Sequence, residues 1–148
     1  PPFWKANARA AFIGINASTT KKQIVRAALE SVAFQMVVYL EFLQRDNKFE
    51  LKNLIVDGGM IKNKLFLQMI ADLLKIEIMI PDIEEMSLYG ALLFGLQQQQ
   101  NISKLSDLNK FAVKRKTIKY EENQGILRSY QHWKKLIDIH FISNQEKN

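Results

Sequence analysis

The chain is predicted to be an α/β domain, on three observations. Short apolar runs alternate with longer stretches of helical periodicity, and the runs end at turn-forming residues such as Asp57-Gly58-Gly59 and Pro81. The composition, 47% hydrophobic and 24% charged over 148 residues, is that of one ordinary globular core.

The elements follow in order. Ala11-Phe12-Ile13-Gly14-Ile15 is an apolar run bounded by polar residues and is expected to be a buried strand or the end of one. Thr20 with Gln23 three residues on fits a capping box, and a helix is expected from Ile24 to about Gln44. Its apolar residues Ala28, Leu29, Val32, Phe34, Val37, Val38, Leu40 and Leu43 cover most of the circumference, the mark of a central helix. Asp46-Asn47-Lys48 ends it, and Leu51 to Val56 reads as the next strand. Lys62 to Leu74 reads as an amphipathic helix with Leu65, Phe66, Met69, Ile70 and Leu73 at helical spacing. Ile76 to Ile80 is a strand ended by Pro81, and Glu85 to about Gln99 a helix packed through Leu88, Ala91, Leu92 and Phe94. Gly90 and Gly95 weaken that helix, so close packing is the expected reason for them, with Ala91 as a third small contact. Gln97 to Gln100 is read as its frayed end. Beyond it the signal weakens to a short helix over Leu105 to Val113, a strand over Thr117 to Tyr120, a long helix from Glu122 to about Phe141 and a loose tail from Ser143 to Asn148. Strands alternating with helices imply parallel pairings.

Several function classes are set aside by composition. With no cysteine there is no disulfide framework and no thiolate metal site. The richest apolar run, Val32 to Leu43, is interrupted by Gln35 and Glu41, so no membrane span is expected. The N-terminus lacks a signal-peptide organisation, which fits a cytoplasmic location. Pro1-Pro2-Phe3-Trp4 reads as the middle of a loop, and the chain is expected to be a piece of a longer one. The net charge of +6 has its densest stretch at Lys110, Lys114, Arg115, Lys116 and Lys119, but Glu121 and Glu122 follow at once. A solvated connection explains it better than a nucleic-acid groove.

The catalytic inventory is thin. His132 and His140, eight apart on one expected helix, are too far apart to share a metal without another element. Glu84 and Glu85 at a helix entrance are explained by the helix dipole. The informative segment is Asp57-Gly58-Gly59 with Asn63. A strand delivers an acid and two glycines at its carboxyl end, and a helix entrance with unpaired N–H groups follows, which is where open α/β sheets hold ligands. The glycines admit a ligand close to the backbone. Asp57 could bond the loop backbone or act on a ligand.

With these elements placed, the residues also resemble a family. Ala10-x-Phe12-x-Gly14-Ile15, then after seven residues Gln23-Ile24-x-x-Ala27-Ala28-Leu29-Glu30, is similar to the C-terminal signature of the FGGY carbohydrate kinases. Pro2-Phe3-Trp4 with Asn7-Ala8-Arg9 resembles the tract that the glycerol kinase branch carries there, and Val56-Asp57-Gly58-Gly59, Asn63 and Glu85-x-x-x-x-Gly90-Ala91 fall in the family's order. The chain departs from that pattern at three places: Lys5 where an acid is usual, Ala10 where glycine is usual, and the bulkier Met60-Ile61-Lys62 after the glycines.

The resemblance implies part of an actin-like, ribonuclease-H-like lobe, a central sheet flanked by helices. The whole chain, 1–148, would be the C-terminal portion of the second lobe, with 101–148 a helical extension and loose tail. It implies an enzyme that closes over MgATP and a small polyol and moves the γ-phosphoryl group to a substrate hydroxyl, glycerol first, with xylulose or gluconate as alternatives. A catalytically silent member serving as an interaction module is the other reading. Gly58, Gly59 and Asn63 are the positions similar to the family's nucleotide contacts. Glu30 is expected to hold the long helix against neighbouring backbone. The catalytic base, the phosphate loops and the ligands of Mg would lie in the missing N-terminal lobe, so the piece alone should be inactive. A homo-oligomer is compatible with this reading.

Overall fold

The structure, a computed structural model, describes residues 9–83, 85–99 and 111–139. Four helices and three strands are built on them: α1 (Lys21–Asn47), β1 (Asn53–Ile55), α2 (Lys64–Leu74), β2 (Glu77–Pro81), α3 (Met86–Gln99), β3 (Arg115–Ile118) and α4 (Gln124–Ile137).

Helix α1 starts as its sequence predicts. The Thr20 amide donates to Gln23 Oε1 at 2.8 Å and the Gln23 amide to Thr20 Oγ1 at 3.3 Å, closing the capping box. It ends at Lys48, which takes a left-handed conformation with φ of 52°. Its 27 residues make it long and apolar enough to cross a membrane by length and composition. That differs from the expectation, because Gln35 and Glu41 are too few to lower its mean hydropathy below that of a span. One face of α1, however, is committed to protein: Ala33, Phe34 and Val37 are buried against the rest of the core.

The sheet has the order β1-β2-β3. β1 and β2 run parallel with Leu54 opposite Ile78, as expected for a crossover through α2. β3 is antiparallel to β2, Thr117 opposite Met79, so the sheet is mixed where the alternation of elements implied parallel pairings throughout. Pro81 is the last residue of β2, not the residue after it; having no amide proton, it ends the ladder, and the Asp82 amide donates to the Lys114 carbonyl at 2.8 Å. β1 is shorter than expected, although the Val56 amide still reaches the Met79 carbonyl at 3.1 Å.

The core centres on α2, which buries Phe66, Leu67, Met69, Ile70 and Ala71 against α1, Ile78 of β2, and Ile126 and Tyr130 of α4. The ring of Phe34 sits 5.4 Å from that of Tyr130 and 5.7 Å from that of Trp133, locking α4 onto α1. A polar bracket fixes the entrance to α4: Asp72 Oδ1 accepts from Gln68 Nε2 at 2.7 Å and from the Glu121 amide at 2.8 Å, and Gln68 Nε2 also reaches the Lys119 carbonyl at 2.9 Å.

Several expectations are corrected. Residues 11–15 form no strand; Phe12, Ile13 and Ile15 are each about half exposed, because none of the described strands lies beside them to supply ladder hydrogen bonds. In α3, Leu88, Leu92 and Phe94 are exposed at 70%, 56% and 64%, and Ala91 is exposed too, so the residues expected to pack do not; Met86, Tyr89, Leu93 and Leu96 are the shielded side. A Cβ added at Gly90 or Gly95 would meet nothing within 4 Å, so no close packing among the described residues explains them. Arg115 and Lys116 belong to β3 itself, not to a connection. Charged side chains on an outer strand oppose unwanted edge pairing, and Lys116 Nζ pairs with Asp82 Oδ1 at 3.1 Å. The expectations for 1–8, Glu84, 100–110 and 140–148, His140 among them, lie outside the described residues.

Candidate functional site

The loop after β1 is built by local hydrogen bonds. Asp57 Oδ1 accepts from the Gly58 amide at 2.7 Å, so this acid shapes the turn. Gly58 has φ of 97° and ψ of 177°, a region essentially closed to residues with a side chain. A 3-10 turn then runs from Gly59 to Lys62, closed by the Ile61 amide on the Gly58 carbonyl at 3.2 Å and the Asn63 amide on the Met60 carbonyl at 3.0 Å. The helix expected from Lys62 therefore begins two residues later, at Lys64, and Gly59 and Met60 in the turn before it are exposed.

Asn63 joins the turn to α2. Its Oδ1 accepts from the Phe66 amide at 3.1 Å, an N-cap. That role uses the acceptor end of the amide and leaves the Nδ2 donor without a protein partner among the described residues. An Asn immediately before an amphipathic run is itself an N-cap signal, so the dual use was legible in the sequence. The first turn of α2 holds no acid and begins with Lys64, so its charge and the helix dipole both favour an anion.

The two glycines differ. Gly58 is required by backbone conformation. Gly59 does not take a left-handed φ, and a Cβ built on it would meet nothing within 4 Å. Neither conformation nor packing inside the described residues calls for glycine there.

The other sequence candidates fall elsewhere. Glu30 meets Arg26 Nε at 2.6 Å, one turn back on α1, in place of the neighbouring backbone it was expected to hold; Arg26 in turn points Nη2 at Met69 Sδ, 3.8 Å away. His132 is exposed on α4. No three His, Asp or Glu side chains gather into a metal site among the described residues. A polar cluster that sequence reasoning missed joins α1 to α4: Glu41 Oε2 accepts from Tyr130 Oη at 2.9 Å and from Lys134 Nζ at 3.2 Å. Burial first, then the bond to Glu41 and its charge, hold the Tyr130 phenol well above its ordinary pKa, so it is a structural donor. Pairs 89 residues apart leave no periodic signal.

Two surface grooves lie away from the loop. One of about 300 Å³ sits between residues 12–16 and the start of α1, the other of about 330 Å³ between Val38, Phe42, Trp133 and Ile137 of α1 and α4. Residues 57–63 line neither, and form an open platform.

The comparisons with known proteins fit this layout. A glycerol kinase of Deinococcus radiodurans is 46% identical over 90 residues, 61% of this chain and 18% of that protein. The structure of a Plasmodium falciparum glycerol kinase with ADP superposes at a TM-score of 0.80 with 28% identity, over 95% of this chain and 28% of that one. A gluconate kinase from Lactobacillus acidophilus shares the fold at a TM-score of 0.73 and 22% identity, over 93% of this chain and 28% of that one. The chain thus spans less than a third of the length of the relatives it matches. Residues 1–98 match the profile of the FGGY family of carbohydrate kinases, C-terminal domain, and the chain therefore belongs to that family.

Proposed function

We propose that this chain is the nucleoside-holding part of a glycerol kinase-like enzyme that transfers the γ-phosphoryl group of ATP to glycerol in the cytoplasm. Residues 1–148 would form the C-terminal portion of its second lobe, with 101–148 as an extension, and the remaining lobe would supply the polyol site, the catalytic base and the phosphate loops. The observation that carries the reading is Gly59: a glycine with no reason inside its own fold, on an open platform beside a helix entrance that is free of acids and begins with Lys64. A ligand backbone approach supplies the reason. Gly58 sets the turn, Gly59 admits the adenosine moiety, and Asn63 offers Nδ2 to a polar atom of the base or ribose while its Oδ1 holds α2. The glycerol kinases among the relatives, one of them solved with ADP, support both nucleotide and substrate.

In this reading the magnesium ion that accompanies ATP would be held by residues of the missing N-terminal lobe. Phosphoryl transfer depends on positioning and charge neutralisation around the transferred group, and this chain contributes the positioning of the nucleoside end.

Asn63→Ser separates the two jobs of the residue, because serine caps a helix as well as asparagine but has no amide to donate. In the full-length protein the KM for ATP should rise on the order of 10-fold, the worth of one buried hydrogen bond, with the KM for glycerol and the melting temperature unchanged. An unchanged KM for ATP refutes the assignment. Turnover of xylulose or gluconate in place of glycerol moves the enzyme to another branch of the family, and no turnover of any polyol makes it an interaction module.

A further inference from the structure

The chain holds five methionines, and their surroundings differ. Met69 is sealed in the core at 2% exposure, and Met79 and Met86 are partly shielded. Met36, on α1, and Met60, in the loop after β1, are 43% and 45% exposed. A lone exposed apolar side chain is ordinary on a protein surface. What sets Met60 apart is its place. It lies in the 3-10 turn Gly59–Lys62, immediately after the glycine that neither conformation nor packing among the described residues explains. Such a turn has three residues per repeat, so side chains three apart stack on one side of it. Met60 is therefore in line with Asn63, and the Met60 carbonyl accepts from the Asn63 amide at 3.0 Å, which fixes the two on one turn. Ile61, one residue on, packs against the core instead. A ligand that lies over Gly59 and reaches Asn63 Nδ2 meets the Met60 thioether.

We propose that Met60 is an oxidation site of the nucleotide platform: a peroxide converts its thioether to the sulfoxide, and the sulfoxide weakens the hold on ATP. This rests on the nucleotide reading of Gly59 and Asn63, and adds to it a residue and a chemistry. In the step, the sulfur lone pair attacks one peroxide oxygen, the O–O bond breaks, an S–O bond forms and the second oxygen leaves as water; the sulfur is oxidised and the peroxide reduced. The unmodified thioether is soft and apolar and makes favourable contacts with aromatic rings, which suits it to a purine. The sulfoxide is polar and hydrated, and laying a ring against it strips that water without replacing it. Its oxygen is also a hydrogen-bond acceptor in line with Asn63, where it competes for the Nδ2 donor that the nucleoside would use while Oδ1 stays on the Phe66 amide. Met60 lies outside the buried cluster, so its oxidation leaves the fold intact.

The test treats the full-length protein with hydrogen peroxide, reads the dissociation constant for ATP by calorimetry, and follows each methionine by peptide mass spectrometry. Met60 should oxidise far ahead of Met69, and saturating ATP should slow it while a free methionine peptide in the same solution reacts as before. The dissociation constant for ATP should rise about 5-fold, the worth of one lost hydrogen bond, with the melting temperature unchanged. Methionine sulfoxide reductase with dithiothreitol should restore it, and dithiothreitol alone should not. Met60→Leu, compared with itself before and after peroxide, should keep one dissociation constant; Met36→Leu should respond as the parent does. Full oxidation of Met60 with ATP affinity intact overturns the proposal, as does an equal peroxide response in the Met60→Leu protein, or oxidation of Met60 no faster than that of Met69. Asn63→Ser separates the two readings. Weaker ATP binding in that variant, with no effect of peroxide on the parent, removes the role of Met60 alone. Unchanged ATP binding in that variant, with no protection of Met60 by ATP, removes both.

Discussion

Replacing each glycine of the loop by alanine, one at a time, separates its two parts. At Gly58 the backbone holds φ of 97° and ψ of 177°, and a Cβ there raises the energy of the folded state by about 1–3 kcal/mol. At Gly59 the φ is ordinary and the space around an added Cβ is empty to 4 Å. Alanine at that position therefore narrows only the unfolded ensemble, which stabilises by about 0.4–1 kcal/mol. The two neighbouring substitutions should differ by roughly 1.5–4 kcal/mol with opposite signs, a gap well beyond the error of a urea titration read by circular dichroism. Activity should be ordered differently. Gly59→Ala, the more stable variant, should raise the KM for ATP of the full-length protein, because the methyl group stands where the nucleoside would lie. If Gly59→Ala destabilises as much as Gly58→Ala, the loop geometry is wrong and the argument for an approach from outside falls with it. If it stabilises and leaves the KM for ATP unchanged, the loop is sound but the nucleotide assignment is not.

Two further outcomes follow from the same structure. Lys75 closes α2 in the left-handed conformation with φ of 55°, so Lys75→Gly should stabilise by about 1 kcal/mol, readable as a higher urea midpoint at unchanged m-value; a lower midpoint would show that the stem of Lys75 packs. The Tyr130 phenol has its pKa raised in the folded state, so its contribution is complete below pH 10 and is lost as pH climbs toward the folded value. Tyr130→Phe should then destabilise by about 1 kcal/mol at pH 7 and lose less stability than the parent protein between pH 9 and 11; identical losses would refute the link to Glu41.

How much was legible in the sequence depended on how local each cause was. The capping box of α1 needs only four consecutive residues and is met as predicted, whereas the caps at Asn63 and Asn123, equally local, lie inside the helices expected from Lys62 and Glu122. The α2 face, Phe66, Met69 and Ile70, is equally readable, because amphipathic spacing is decided within the helix. The direction of β3 was not readable: strand polarity depends on the route between β2 and β3, and the sequence there carries weak periodicity. The Asp72 bracket and the Glu41–Tyr130 bond were likewise invisible, since they join residues 49 and 89 apart. At the candidate site, the place of the platform was legible, but the division of labour between the glycines was not. Only a backbone angle distinguishes Gly58 from Gly59.

The misreadings share one physical origin. The run at residues 11–15, the packing residues Leu88, Ala91, Leu92 and Phe94 of α3, and Ala28 and Val32 of α1 were expected to be buried because they are apolar, and each is exposed where the described residues provide no neighbour. Hydrophobicity in a sequence records what a segment was selected to touch, not what lies within its own stretch of chain. Taken that way, the disagreements are aligned, not scattered. The core around α2 is closed by buried residues and leaves no buried side-chain polar atom unpaired among those described. The buried cluster is gathered around α2, and the exposed apolar residues lie at its rim.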